Sequence, residues 1–271
     1  MWKVDKEEQH FYLFGTMHLA DPDLQTLPKA LSGVIDQSDF LRTEISMEIG
    51  NQLKASSLML RKDGKKLKDI LPSPLYKRAE TYLKGINPIL TLEPFDDMKI
   101  WAVSTIITLL ENQLKYPMMP SIDKVIYNYA KKEKKDVGGV ETIEEQFSAM
   151  DSFTLKEQIL GLESSLDYLE KEVDVSAEMK ELYMKGDSTS MMTFINSMMF
   201  KIPKYKDLEK KFMEELLYKR NIRMVSRIEK LLAKTPKKKF VFAFGVMHFL
   251  GEKSVIDGLK SHGYSIKRVV K

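Results

Sequence analysis

One short phrase occurs twice in this chain, once near each end. The first copy reads Phe11-Tyr12-Leu13-Phe14-Gly15-Thr16-Met17-His18, and the second reads Phe242-Ala243-Phe244-Gly245-Val246-Met247-His248. Each is an apolar run with the residue bias of a strand, broken by Phe-Gly, with a histidine three residues after the glycine. The chain has 4 histidines, and two of them hold these matched positions. Two strands that end in the same turn and present the same side chain are most simply neighbours sharing one site. The fold therefore has to bring the two ends of the chain together.

The remaining strand signals narrow the architecture. Beyond residues 10–15 and 239–245, strand character recurs at 38–45, after an amphipathic helix that starts near Leu27-Pro28. It recurs at 135–140 after a helix over 121–132, and at 265–270 after a helix over 252–261. This alternation predicts an α/β fold: a mixed central sheet with N- and C-terminal strands adjacent, flanked by helices. Over residues 144–235 the period changes. Leu155, Ile159, Leu162, Leu166 and Leu169, then Phe212, Leu216, Leu217, Ile222, Val225, Ile228, Leu231 and Leu232, recur at helical spacing. That stretch is expected to be a helical insertion. Residues 52–116 also read as mainly helical, punctuated by Pro72, Pro74, Pro88 and Pro94. With no Gly/Ser linker and no low-complexity segment, residues 1–271 are expected to form a single domain.

Composition removes several function classes. There are 43 basic and 39 acidic residues, for a net charge of +4, and no basic stripe with interleaved aromatics, so no nucleic-acid partner is expected. Cysteine is absent, which excludes disulfides, thiolate nucleophiles and thiolate metal sites. The longest apolar stretch, Ile100 to Leu110, is about half of what a membrane span needs and reads as a buried helix. No integral membrane segment is therefore expected. The first residues, Met1-Trp2-Lys3-Val4-Asp5, carry no leader pattern, so the expected location is cytoplasmic as the sequence stands. A secreted or cell-surface location follows if a leader has been trimmed. Nothing in the sequence sets the oligomeric state.

In open α/β sheets, ligands bind beyond the carboxyl ends of the strands. The four central strands each deliver a chemically useful group there: His18, Glu44, Glu141 and His248. Glycine before each histidine permits backbone conformations closed to other residues and lets a ligand approach the main chain. Two imidazoles with one or two carboxylates suit a divalent metal with open positions, and the absence of thiolates leaves zinc, manganese, cobalt or iron acceptable. Such a metal lowers the pKa of bound water toward about 7. A carboxylate not serving as a ligand is then free to act as general base. The alternative needs no metal: one histidine is the base, oriented by a glutamate, and the other stabilises charge. His10 and His262 read as structural, and Glu141-Thr142 also has the pattern of a helix start.

With these residues assembled, the sequence resembles the TraB/GumN family. That family includes the pheromone-shutdown proteins TraB and PrgY and the TIKI metalloproteases. It lies in a wider group with erythromycin esterases and haem-binding ChaN-like proteins. The resemblance is carried, in order, by Trp2, Gly15-Thr16-Met17-His18, Leu27-Pro28, Glu44, Asp123 and Val140-Glu141-Thr142-Ile143-Glu144-Glu145-Gln146. It continues with Gly186-Asp187, Arg220-Asn221, Gly245-Val246-Met247-His248 and the turn at Gly263-Tyr264. Val140 stands where the family usually has leucine.

The resemblance implies a metal-dependent hydrolase of the metalloprotease kind, with a peptide or small-molecule substrate. His18, His248 and Glu44 are the implied ligands of a divalent metal (Mn, Co or Zn). Glu44, Glu141 and Arg220 are the implied catalytic residues. A guanidinium at Arg220 suits a substrate carboxylate or a developing oxyanion. Asp123 and Asp187 are expected as helix caps. The ChaN-like relatives imply the alternative of a non-catalytic peptide- or haem-binding protein, and the esterases that of metal-independent ester hydrolysis. Unlike PrgY-like members, this sequence shows no C-terminal membrane spans. Met184, Met191, Met192, Met198, Met199 and Met213 cluster in the expected insertion, as helix core or as an adaptable apolar groove.

Overall fold

The computed structural model describes residues 1–171 and 175–269. Six strands form one mixed sheet: β1 (Trp2–Lys6), β2 (Gln9–Thr16), β3 (Phe40–Ile45), β4 (Asp136–Glu141), β5 (Phe240–Gly245) and β6 (Ser265–Arg268). Their spatial order is β4-β3-β5-β2-β1-β6. The four strands β4, β3, β5 and β2 run parallel, so their carboxyl ends share one edge. β1 is antiparallel to both β2 and β6.

The two ends of the chain meet twice. β2 and β5, which carry the repeated phrase, pair directly, with Gly15 opposite Phe244 and Thr16 opposite Gly245. β1 and β6 pair farther out, with Trp2 opposite Arg268. The fifth expected strand was placed over 265–270; residue 270 lies outside the described residues. β1 is an addition that the sequence reading did not contain. Its five residues include three charges, and Val4 is its one fully buried side chain, so only a weak Trp2/Val4 alternation marked it.

β5 is buried along its whole length and alternates between two cores. Phe240, Phe242 and Phe244 join Phe11, Leu13, Met224, Ile228 and Leu259 on one face, under helices Lys219–Lys234 and Val255–Ser261. Val241 and Ala243 join Leu31, Ile35, Leu41, Ile122 and Ile126 on the other, under helices Lys29–Asp36 and Ile122–Lys132.

A third core is entirely helical. Helices Ser73–Ile86, Ile100–Lys115 and Leu155–Leu169 bury Leu75, Ala79, Leu83, Ile100, Val103, Ile107, Leu162 and Leu166 against one another. The apolar run that begins at Ile100 is thus a buried helix, and no described helix is long and apolar enough to cross a membrane. Residues 144–235 are helical as expected, apart from 172–174, which lie outside the described residues. Two of the periodic positions face outward: Leu155 is exposed in its helix's first turn, and Ile222 is 72% exposed. The helical spacing at Phe212, Leu216 and Leu217 runs through a π-helical turn over Met213–Tyr218. That turn lies just before Arg220, and π turns recur at functional sites.

Candidate active site

All four strand-end residues lie along the common carboxyl edge, three of them joined through one carboxylate. Glu44 is the penultimate residue of β3, and its side chain is 7% exposed. His18 Nε2 and His248 Nε2 each lie 3.6 Å from the same oxygen, Glu44 Oε1. The imidazoles from opposite ends of the chain therefore face one acidic group. The two rings differ in access: the His18 side chain is 61% exposed, whereas His248 is 4% exposed.

Local structure fixes each ring. After β5 the chain turns through one 3-10 turn, Val246–Phe249, which carries His248. Phe249 anchors that turn by stacking on Phe244 at 5.8 Å and meeting Trp2 at 5.2 Å. His248 Nδ1 lies 2.6 Å from Asn221 Oδ1. The Asn221 amide nitrogen donates to the Lys253 carbonyl at 2.8 Å, so its oxygen faces the ring and accepts. Nδ1 of His248 must then donate to that oxygen, and Nε2 is the atom that faces Glu44. His18 is held in the same way: its Nδ1 donates to Asp123 Oδ2 at 2.9 Å, and Asp123 Oδ1 accepts from the Thr16 hydroxyl at 2.5 Å. Backing each imidazole through its second nitrogen is the arrangement that orients metal-binding and catalytic histidines.

Glu44 is held from three sides. The Gly245 amide donates to Oε1 at 2.7 Å, while Arg220 Nη2 at 2.6 Å and Gln146 Nε2 at 3.0 Å donate to Oε2. Arg220 also clamps Glu141, through Nε at 2.9 Å and Nη2 at 2.7 Å, and donates through Nη1 to the Leu216 carbonyl. That carbonyl belongs to the π-helical turn. Arg223 closes the opposite side of Glu141 at 2.8 Å. The Glu141 side chain is 0% exposed, with each oxygen paired to an arginine, and Arg220 is buried between the two carboxylates. Arg220 therefore bridges Glu44 and Glu141, and Glu141 is enclosed between two arginines.

Charge states follow from these contacts. Burial opposes ionisation of Glu44, yet His248, His18 and Arg220 together hold its carboxyl well below the usual range. Burial of the His18 nitrogens favours the neutral ring, but Asp123 and Glu44 outweigh it and hold the imidazole well above its ordinary value. Burial disfavours the Arg220 charge, and Glu44 and Glu141 more than compensate.

The glycines serve the site through space. Neither Gly15 nor Gly245 has a positive φ, so the expected special backbone conformation is not what selects them. A Cβ on Gly245 would lie 3.0 Å from both Glu44 Oε1 and His18 Nε2, and one on Gly15 would lie 2.9 Å from the Val246 side chain. The close approach that the sequence reading gave as the second reason is the one that operates.

Asp187 caps helix Ser188–Met198 by accepting from the Ser190 amide, as expected. Asp123 departs from expectation. It lies in the first turn of helix Ile122–Lys132, but both its oxygens go to Thr16 and His18, because the helix start points into the site. Thr16, Gln146 and Arg223 were not anticipated. Asn221 stood in the sequence only as half of an Arg-Asn pair. His10 and His262 sit in surface ion pairs with Asp5 and Glu229.

Among the described residues, no group of three or more histidine, aspartate or glutamate side chains is arranged so that it could hold a metal ion. The donors are nonetheless of the right kind once their Nε2 protons are lost: two imidazole nitrogens and one carboxylate oxygen, beside a glycine whose missing Cβ leaves space next to Glu44 Oε1 and His18 Nε2. A cavity of about 360 Å³ reaches His18 between helices Ile100–Lys115 and Leu155–Leu169. A larger one of about 800 Å³ adjoins it through Thr108, Gly161, Ser165 and Phe212, and does not include His18.

The chain is 26% identical over 308 residues to "Metalloprotease TIKI1" of Xenopus tropicalis, covering 98% of this chain and 60% of that protein. It is 25% identical over 314 residues to "Metalloprotease TIKI homolog" of Nematostella vectensis, covering 99% of this chain and 66% of that protein. The human "Metalloprotease TIKI1" is 23% identical, with 98% and 61% covered. The chain thus spans less than two thirds of the length of these relatives. No solved structure is a significant match. The profile of the TraB/PrgY/gumN family matches residues 1–268. The chain belongs to the TraB/PrgY/gumN family.

Proposed function

We propose that this protein is a metal-dependent hydrolase that cleaves peptide bonds at the carboxyl edge of its sheet. One observation carries the reading: the Nε2 atoms of His18 and His248 lie at equal distance from Glu44 Oε1, each with its other nitrogen committed to a neighbour. The printed names of the TIKI relatives support it.

His18 and His248 would hold a divalent cation through Nε2, and Glu44 would complete the set through Oε1. A cation held there supplies Lewis acidity and a lowered pKa for water. The chain's own residues do the rest. Asp123 and Asn221 fix the rings through Nδ1 and turn each Nε2 toward the place where a cation would displace its proton. Arg220, with Glu141 and Arg223 behind it, keeps Glu44 ionised and in register. A carboxyl held so far below the usual range is suited to ligation more than to carrying a proton. Arg220 and Glu141 act as positioning residues in this reading. The exposed edge of His18 faces the side from which a polypeptide would enter.

A second reading is favoured by the His18–Asp123 pair itself. An exposed imidazole with its Nδ1 proton on a buried carboxylate is the orientation a general base uses, and it needs no metal. Hydrolysis of unstructured peptides, assayed with and without a strong chelator, separates the two. Loss on chelation and recovery with Mn, Co or Zn supports the metal-dependent hydrolase; activity that survives chelation supports the base reading. Absence of any hydrolysis by metal-loaded protein would contradict both.

A further inference from the structure

We propose that the cavity beside His18 is a specificity pocket that takes one large aliphatic or aromatic side chain of a polypeptide, next to the bond to be cleaved. The proposal rests on the hydrolase reading for the identity of that bond, and on the walls of the cavity for its preference.

The walls are apolar where they are open and self-satisfied where they are polar. Trp101, Leu109, Met150, Phe153 and Phe212 are its apolar lining, and the Phe153 and Phe212 rings meet at 4.7 Å with a tilt of 31°. Each polar side chain in the lining has a partner inside the protein. The Ser104 and Ser165 hydroxyls bond to each other at 2.9 Å. Thr105 and Thr108 return their hydroxyl protons to carbonyls one turn back, at 2.9 and 2.8 Å. Gln158 donates to the Phe153 carbonyl, Glu157 accepts from Lys211, and the Trp101 indole donates to Asp151. A polar or charged side chain entering this space would find most of these groups already engaged and would recover few of the hydrogen bonds it loses with its water, which is costly. An apolar one loses nothing and gains from burial.

Size points the same way. At about 360 Å³ the cavity lies at the low end for a ligand pocket, suited to one bulky side chain. The adjoining cavity of about 800 Å³ continues along the same helices toward Met198 and Met199, with room for the rest of an extended chain. Gly161 stands at the junction of the two. A Cβ there would meet only Phe212 and Leu208, at 3.9 to 4.0 Å, so a larger side chain fits the helix and narrows the passage.

The test uses the full chain with Mn, Co or Zn supplied. A set of unstructured peptides, identical but for one residue set to Phe, Leu, Ala, Gly, Asp or Lys, is incubated with protein, and cleavage sites are read by mass spectrometry. The expected result is a preference of about tenfold or more for Phe and Leu over Gly, Asp and Lys at a fixed position beside the cleaved bond. Gly161→Leu is expected to move that preference toward Ala, and Met150→Ala toward larger side chains. Cleavage indifferent to the residue beside the bond overturns the pocket while leaving the hydrolase reading standing.

A second readout is independent of turnover. The chain has 2 tryptophans, so Trp2→Phe leaves Trp101 as the sole indole, on the cavity wall. If nothing is cleaved, a saturable change in Trp101 fluorescence with the Phe and Leu peptides, weakened by Gly161→Leu, supports the pocket even as the hydrolase reading fails. A response equal for all peptides, or none, overturns the pocket.

Discussion

Asp123 and His18 lie 105 residues apart in sequence and share a hydrogen bond of 2.9 Å from His18 Nδ1 to Asp123 Oδ2. That contact fixes the ring, selects its tautomer and supplies the negative charge that raises its proton affinity. Asp123→Asn keeps the volume and removes the charge. Metal affinity is expected to fall by about 10- to 100-fold, as for other residues that back a ligating histidine. A competition titration against a chromophoric chelator measures it; an affinity within threefold of wild type contradicts the role given to Asp123.

The same pair sets a pH dependence. The folded-state value of His18 lies well above the ordinary one, because Asp123 and Glu44 outweigh burial. Its stabilising contribution in metal-free protein is therefore fully present below about pH 6.5 and is lost as pH rises through the folded value. Metal binding has the opposite sign, since the proton competes for Nε2: affinity is expected to decline on acidification from a point above about pH 6.5. Metal titrations across pH check this. Asp123→Asn is expected to move the decline to lower pH, and an unmoved profile would assign it to another group.

Glu141 sits between two arginines with no solvent contact. Replacing it by Leu leaves Arg220 buried with one carboxylate in place of two. A loss of about 3–5 kcal/mol in denaturant unfolding is expected, typical of a broken buried ion pair. A loss below about 1 kcal/mol would place the pair among surface ion pairs in energetic terms.

Gly245→Ala tests the space around Glu44 Oε1. The added carbon falls 3.0 Å from both that oxygen and His18 Nε2. Glu44 is pinned by Arg220 and Gln146, so the exposed His18 ring has to yield. Metal affinity is expected to drop by about tenfold or more while thermal stability changes by about 1 kcal/mol at most. Unchanged affinity would mean that His18 does not bind in its present position.

Farther from the pair, Arg227 holds the Glu145 carboxyl down at about 2. A lowered folded value stabilises the protein above the unfolded value near 4.5, and that contribution is lost as pH falls toward 2. Both side chains are about a third exposed, so the Arg227→Met variant is expected to lose about 1 kcal/mol near pH 7 and little at pH 2. Unfolding curves at the two pH values measure the difference.

Much of this arrangement was legible in the chain. The repeated Gly-x-x-His phrase points to β2 and β5 as neighbours, and the rule on strand carboxyl ends picks out His18, Glu44, Glu141 and His248 from the sequence alone. Periodicity found the helices Leu155–Leu169 and Lys219–Lys234 because each carries a buried apolar face. What stayed hidden is of two kinds. β1 is short, half charged and carried by pairing on both sides, so its local pattern was faint. Asp123, Thr16, Gln146 and Arg223 act through hydrogen bonds between segments far apart in sequence, and no spacing rule reports such a contact. Arg220 was visible as a cation near the site. Its commitment to two buried carboxylates depended on the π-helical turn before it, which no residue pattern announced.

The central claim is that His18 and His248 hold one cation between them. Titrating metal-free protein with Mn, Co and Zn by calorimetry tests it most directly, alongside His18→Ala and His248→Ala variants whose helical circular dichroism matches wild type. The expected result is one tightly bound cation per wild-type chain and loss of that binding in each variant. A wild-type chain that binds none of the three metals, or variants that bind as tightly as wild type, would contradict it.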